Sequence, residues 1–509
     1  MNNKRMAISL IANIIAFAVN MGINFFLTPY IVNRVGSEAY GFVSLANNFT
    51  NYAMILTIAL NSVAGRFITI EYENKRYNEV QRYFSSALFA NIFMCVVLLI
   101  PSILCVFFLD SILSIPEKIV NDVKVLFAFI FSSFFVTLIN ATYSTSLFVT
   151  NRKDVEAQRN IESYILKAAI LIVVYIVFKP AVYYIGVSML LTSVYLLLTN
   201  IHFTKKYLNK IHPTLHSASK EKIKILISSG IWNSLTKLSN ILTDGLDLLI
   251  TNLFIDSQAM GVLSIAKILP NVIITLVSTI AGVFVPNYTI AYAHNDKKEF
   301  MLKIRQSMIV SGIMSNMFLV VLVVLGTDFY SLWVPSQDSN QLYKLSLLTI
   351  AGMMINGGIQ CVYNIFTVVN KIKVNAIVNL VTDFGIIGTV FLLLKTTNLG
   401  IYAIAGVSSC VIILRSIFFS IPYAAYCSKI KKWFFYKQVI LNLIAFGISL
   451  IIVRFFKQHI QVDSWIKLIL QAMISCVISF IVSSLMVTNK QDKKSIFLKL
   501  KKGFGYENY

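Results

Sequence analysis

The chain has 509 residues, of which 57% are apolar and 13% charged, with a mean hydropathy of +0.74. Soluble domains carry about 25% charged residues and under half apolar ones, so this composition belongs in lipid. Apolar blocks recur from end to end, which leaves too little chain for a large catalytic domain outside the membrane.

The first block opens after Met1-Asn-Asn-Lys-Arg5 and continues to Val32, longer than a signal peptide's apolar region, so it is read as a retained helix. Taking about 20 apolar residues per crossing, spans fall near 6–33, 40–67, 84–109, 120–150, 161–178 and 182–203. After a polar stretch come 225–255, 259–292, 302–334, 342–370, 375–395, 400–426, 437–456 and 464–487. Fourteen spans put both termini on one side. With that side cytoplasmic, inner connections hold 31 Lys and Arg and outer connections nine. This is the asymmetry of the positive-inside rule, and it accounts for a net charge of +22 without nucleic acid as a partner.

Ser37-Glu-Ala-Tyr-Gly41-Phe-Val-Ser-Leu-Ala46 lies over Ser257-Gln-Ala-Met-Gly261-Val-Leu-Ser-Ile-Ala266 at an offset of 220, and residues 37–79 match 257–299 at 12 of 43 positions. The same register recurs at Gly186-Val-Ser188 and Gly406-Val-Ser408. Asn151, Val155, Ala157 and Asn160 match Asn370, Val374, Ala376 and Asn379 one residue out. The chain is therefore a duplication of six spans. An even number per half makes the repeats parallel. The expected architecture is all-α and integral to the membrane, with two six-helix lobes around a central cavity. The lobes are 1–203 and 225–428, joined by a basic linker, 204–224; a helix pair, 429–487, and a basic tail, 488–509, follow.

Polar side chains stand where lipid should be. Span 7 carries Asn233, Lys237, Asn240, Asp244, Asp247 and Thr251, within about 80° on a straight α-helix. Span 1 carries Asn13, Asn20 and Asn24 on the equivalent face, and Asn47, Asn51 and Asn271 continue the pattern in spans 2 and 8. A charge at mid-bilayer costs about 2.5–3.5 kcal/mol on insertion scales, so these faces are expected to line a wet cavity rather than lipid. Lys237, Lys267 and Arg415 are the candidates for holding an anion there. Asp244 and Asp247, one turn apart, and Asp383 are candidates for coupling to H+ or Na+, although Asp383 and Arg415 can equally form a structural salt bridge. Lys167, in span 5, is a further embedded charge without an assigned role. Lys267 stands beside Pro270, where a bend is expected.

Catalytic and cofactor motifs are missing. There is no G-x-x-x-x-G-K-[ST] for nucleotide, no H-E-x-x-H among the five histidines, and no paired-cysteine motif among the six cysteines. Neither an enzyme nor a cofactor is expected, and no metal site.

The passage Pro29-Tyr-Ile-Val-x-x-Val-Gly36-x-x-x-Tyr-Gly41, Arg66-Phe67 closing span 2, and Asn151-Arg-Lys-x-x-Val-x-Ala after span 4 resemble the O-antigen and capsule flippases. These belong to the multidrug/oligosaccharidyl-lipid/polysaccharide exporter superfamily. The resemblance implies a bacterial cytoplasmic-membrane protein with a largely cationic cavity. Its substrate would be an undecaprenyl-pyrophosphate-linked glycan, moved from the inner to the outer leaflet by alternating access. It also implies membrane lipid, a glycan polymerase and chain-length machinery as partners. The lysines and Arg415 would then take the pyrophosphate and the asparagines the sugars. A multidrug or cation antiporter of the same fold, using Asp244 and Asp247 for the cation, is the rival expectation.

Overall fold

Thirteen segments among the described residues of the computed structural model are long and apolar enough to cross a membrane. The structure describes residues 3–150, 152–294, 296–369, 371–458 and 460–488; within these, the side chains of 3–11, 13, 14, 240, 243, 244, 286, 287 and 293 are outside the description. All the described secondary structure is helical.

The chain divides into two compact units, residues 1–264 and 265–509. The first contains α1 (Asn3–Val35), α2 (Ser37–Glu73), α3 (Tyr77–Phe107), a single turn α4 (Leu109–Ile112), α5 (Val120–Val149), α6 (Lys153–Val177) and α7 (Tyr183–Tyr207). It continues with α8 (Lys220–Asn240), a π-helical turn (Ile241–Gly245), α9 (Asp247–Phe254) and most of α10 (Ser257–Ala266). The second contains α11 (Ile268–Val283), α12 (Val285–Ala293), α13 (Lys297–Trp333), α14 (Ser339–Ile350), α15 (Met353–Val368) and α16 (Ile372–Thr396). After these come α17 (Ile401–Arg415), a second π-turn (Ser416–Ser420), α18 (Ile421–Ser428), α19 (Lys432–Lys457) and α20 (Trp465–Val487).

The duplication is visible in the helix ends. α2 starts at 37 and ends at 73; α10 starts at 257 and α12 ends at 293, both 220 further on. α3 and α13 start at 77 and 297. α6 covers 153–177 and α16 covers 372–396, both ends displaced by 219. The halves differ in continuity. Where α2 is one helix, its counterpart breaks at Lys267 and Phe284. Pro270 and Pro286 follow those breaks, because a proline cannot donate to the carbonyl four residues back. The carbonyl orphaned by Pro270 is that of Ala266, and it is satisfied from outside: Ser346 Oγ donates to it at 2.7 Å and Tyr330 Oη at 3.3 Å.

Two expectations change. Span 7 is not one straight helix, and it is the span absent from the thirteen: α8 is polar, and the π-turn interrupts it before α9. A π-turn holds one residue more than an α-turn, so everything beyond Gly245 is rotated by about 100°. Asn233 is accordingly exposed while Asp247 and Thr251 are buried, and the single 80° stripe does not exist. Moreover, α8 packs along α2, inside the first compact unit. The repeat boundary near 220 and the compact-unit boundary at 264 are thus different divisions of the chain.

α20 docks on α13 and α19 through small polar residues. Gln471, Ser475, Ser479 and Ser483, four apart, are all buried, and Asn316 Nδ2 reaches both Asn442 O, at 3.1 Å, and Ser483 Oγ, at 3.2 Å. Small residues and interhelical hydrogen bonds are the usual glue in lipid, where apolar contact alone gives no preference for protein over lipid.

Candidate functional site

The α2–α8 seam gathers the largest group of the sequence-selected polar residues. It is tight because Gly230 lets the backbones touch: a Cβ there would sit 1.8 Å from Ala59 O. Along it, Asn233 Nδ2 donates to Ser62 Oγ at 2.9 Å, and Ser234 Oγ to Ile55 O at 3.0 Å. Next along the seam, Lys237 Nζ donates to Asn51 Oδ1 at 3.1 Å. Among the described residues the ammonium thus has an amide oxygen as its partner. Farther on, Tyr52 Oη (2.6 Å) and Asn48 Nδ2 (3.0 Å) both donate to Gly245 O, in the π-turn. Neither Tyr52 nor Asn48 was among the candidates, since a π-turn leaves no signature in apolar periodicity.

Elsewhere in this unit, Asn24 Nδ2 donates to Asn20 Oδ1 at 2.7 Å, and Asn47 Nδ2 to Val43 O at 2.9 Å. Asp247 is 6% exposed at the start of α9. The side chains of Asn13, Asn240 and Asp244 lie outside the described residues. In the second unit Lys267 is 7% exposed, at the break between α10 and α11, and Asn271 is exposed one turn on. Arg415 Nη1 lies 3.1 Å from Asp383 Oδ1 and also donates to Thr382 Oγ1 at 3.1 Å. The salt bridge is therefore present, with Asp383 fully buried. Arg415 is the residue immediately before the second π-turn. No cluster of three or more His, Cys, Asp or Glu side chains that could hold a metal occurs among the described residues.

Gly41 and Gly261, equivalent in the two repeats, touch each other: a Cβ on Gly41 would lie 2.8 Å from Gly261 Cα, and one on Gly261 would lie 2.5 Å from Ser37 O. Beside them Ser257 Oγ donates to Glu38 Oε1.

A sequence profile for the family described as Polysaccharide biosynthesis protein matches residues 7–291, more than half of the chain. The chain belongs to this family. Its members are transporters rather than enzymes, so the family protein described here is a multi-pass membrane transporter. It is 24% identical to the uncharacterized membrane protein EpsK of Bacillus subtilis (strain 168), over 99% of this chain and all of that one. The fold is similar to lipid II flippase MurJ in an inward closed conformation, with a TM-score of 0.68 and 15% identity, covering 94% of this chain and 98% of that one. It is also similar to an inward-facing multidrug resistance MATE family transporter of the MOP superfamily, with a TM-score of 0.67 and 14% identity, covering 84% and 98%. At such identities the likeness concerns fold alone. It agrees with the all-helical membrane architecture read from the sequence.

Proposed function

We propose that this family member is a flippase that carries a polyprenyl-pyrophosphate-linked oligosaccharide from the inner to the outer leaflet of a bacterial cytoplasmic membrane. The observation that carries the reading is Lys237. It is a cation in the α2–α8 seam, with an amide oxygen at 3.1 Å as its described partner and further amides beside it. An ammonium suits a phosphate oxyanion, and amide side chains suit sugar hydroxyls, which both donate and accept. Lys267 and Asn271 supply the same residue types in the second repeat. Asp247, buried beside the π-turn, is the group through which an H+ or Na+ gradient drives the cycle, together with Asp244. Arg415 is held by Asp383 and serves structure rather than substrate, which removes Asp383 from the ion-coupling set. Both termini face the cytoplasm, and alternating access proceeds by movement of the two repeats.

The test is deletion in the native host. Loss of surface glycan, with lipid-linked repeat units building up on the cytoplasmic side, is the expected result, and Lys237→Met should reproduce it where Lys237→Arg does not. Normal surface glycan in the deletion strain would end the proposal.

A further inference from the structure

We propose that a cleft between α13 and α19 is a binding site for a bilayer phospholipid, in which Arg454 takes the phosphate and the cleft takes one acyl chain. The site lies within the second unit and does not depend on what the protein transports. The cleft has a volume of about 240 Å³ and is lined by Val323, Val324, Gly447, Leu450, Ile451 and Arg454.

The face of α19 that carries the cleft is its lipid face. Ile440, Ile444, Gly447, Ile451 and Arg454 fall within about 80° around the helix, and the three isoleucines and Arg454 are exposed. Buried Asn442, Ala445, Phe446, Ser449 and Val453 lie about 100° or more from that stripe. Gly447 is a notch in it, because a Cβ there would meet nothing within 4 Å. A glycine inside a helix costs about 0.5–1 kcal/mol relative to alanine, and no close approach of another backbone calls for one here. Its effect is to hold the cleft open.

The walls of the cleft are fixed by polar contacts. Tyr343 Oη, from α14, donates to Val323 O at 2.7 Å, and Lys457 Nζ donates to Val324 O at 2.8 Å. Lys457 Nζ also pairs with Asp328 Oδ2 at 2.6 Å, which ties the end of α19 to α13 and neutralises that carboxylate. Arg454, in the last turn of α19, makes no ion pair or side-chain hydrogen bond among the described residues. Arg454, Lys457 and Asp328 together leave one positive charge, the complement of one phosphodiester. A pyrophosphate carries more charge than this guanidinium balances. Snorkelling accounts for an arginine near the end of a span, but not for a notch on the same face about 10 Å below it. A void facing lipid is filled by hydrocarbon, since an empty cleft forfeits dispersion contacts along its walls. Guanidinium groups bind phosphate through two parallel hydrogen bonds, and basic pockets between spans are headgroup sites. A phosphate above one chain, at the edge of a helix pair, describes a phospholipid of the surrounding leaflet.

The experiment measures binding of dioleoyl phosphatidylglycerol and of dioleoylglycerol, which has the same chains and no phosphate, to the delipidated full-length protein by native mass spectrometry. Wild type should bind the phospholipid about tenfold more tightly. Arg454→Gln should erase that difference and leave dioleoylglycerol binding and the melting temperature unchanged. Gly447→Leu, which fills the cleft, should weaken both lipids. Lys395→Gln, which removes a cation at the end of α16, should change neither. The proposal is overturned if Arg454→Gln keeps the wild-type preference, if Gly447→Leu binds both lipids as wild type does, or if Lys395→Gln loses the preference equally. Displacement of the phospholipid by undecaprenyl pyrophosphate, dependent on Arg454, would overturn it in favour of a substrate site.

Discussion

Arg415 and Asp383 illustrate what burial does to a charged pair. With Asp383 at 0% side-chain exposure and Arg415 at 9%, removing one partner strands the other. Arg415→Leu should therefore cost about 3–5 kcal/mol, whereas Arg415→Leu with Asp383→Leu should be close to neutral. Thermal unfolding of the single and double variants in detergent measures the difference. If the double variant also transports, the pair is a structural lock; if it folds but fails to transport, Arg415 contacts substrate after all. Chain position alone could supply the two charges and their adjacent spans. It could not say that they meet, because side-chain direction depends on how α16 and α17 are rotated against each other.

The two π-turns belong to the scale of the helix. Gly245 O accepts from both Tyr52 Oη and Asn48 Nδ2, so α2 holds the turn from outside. Tyr52→Phe should loosen it by about 1 kcal/mol, the usual net worth of one hydrogen bond, as read from amide exchange at 241–247. Deleting one residue from the turn should be more severe. It would restore the α-helical register, swing Asp247 by about 100°, and abolish transport while membrane insertion, checked by fractionation, persists. The reading of span 7 as one polar stripe failed here for a physical reason. A helical wheel assumes 100° per residue throughout, and the extra residue of a π-turn is stabilised by tertiary hydrogen bonds that no periodicity reports. Lys237 was legible, as was the amide character of its surroundings, but its pairing with Asn51 was not.

For the molecule as a whole, the charge asymmetry predicts orientation. A phosphatase reporter fused after Gln461 should be active and one fused after Lys429 inactive; the reverse pattern would invert the topology and with it the direction of transport. The Gly41–Gly261 contact makes a second prediction. Gly261→Val has nowhere to put its side chain, with Ser37 O at 2.5 Å from the Cβ position, and should cost about 1–3 kcal/mol by overpacking. Gly22→Ala, inside α1 where nothing lies within 4 Å, should instead raise the melting temperature slightly, because a helix-interior glycine costs about 0.5–1 kcal/mol relative to alanine.

Composition alone was enough to establish membrane residence, because each span's burial in lipid is a local, additive property of about 20 residues. The duplication was equally readable, since a shared origin leaves matched letters at constant offset, and the helix ends now coincide at offsets of 220 and 219. Tertiary structure alone decided which helices touch: that α8 lies along α2, and that a π-turn rotates Asp247 away from Lys237. Those outcomes depend on rotation and close approach between segments far apart in the chain. Nothing local constrains them until glycines such as Gly230 and Gly41 allow the backbones to meet.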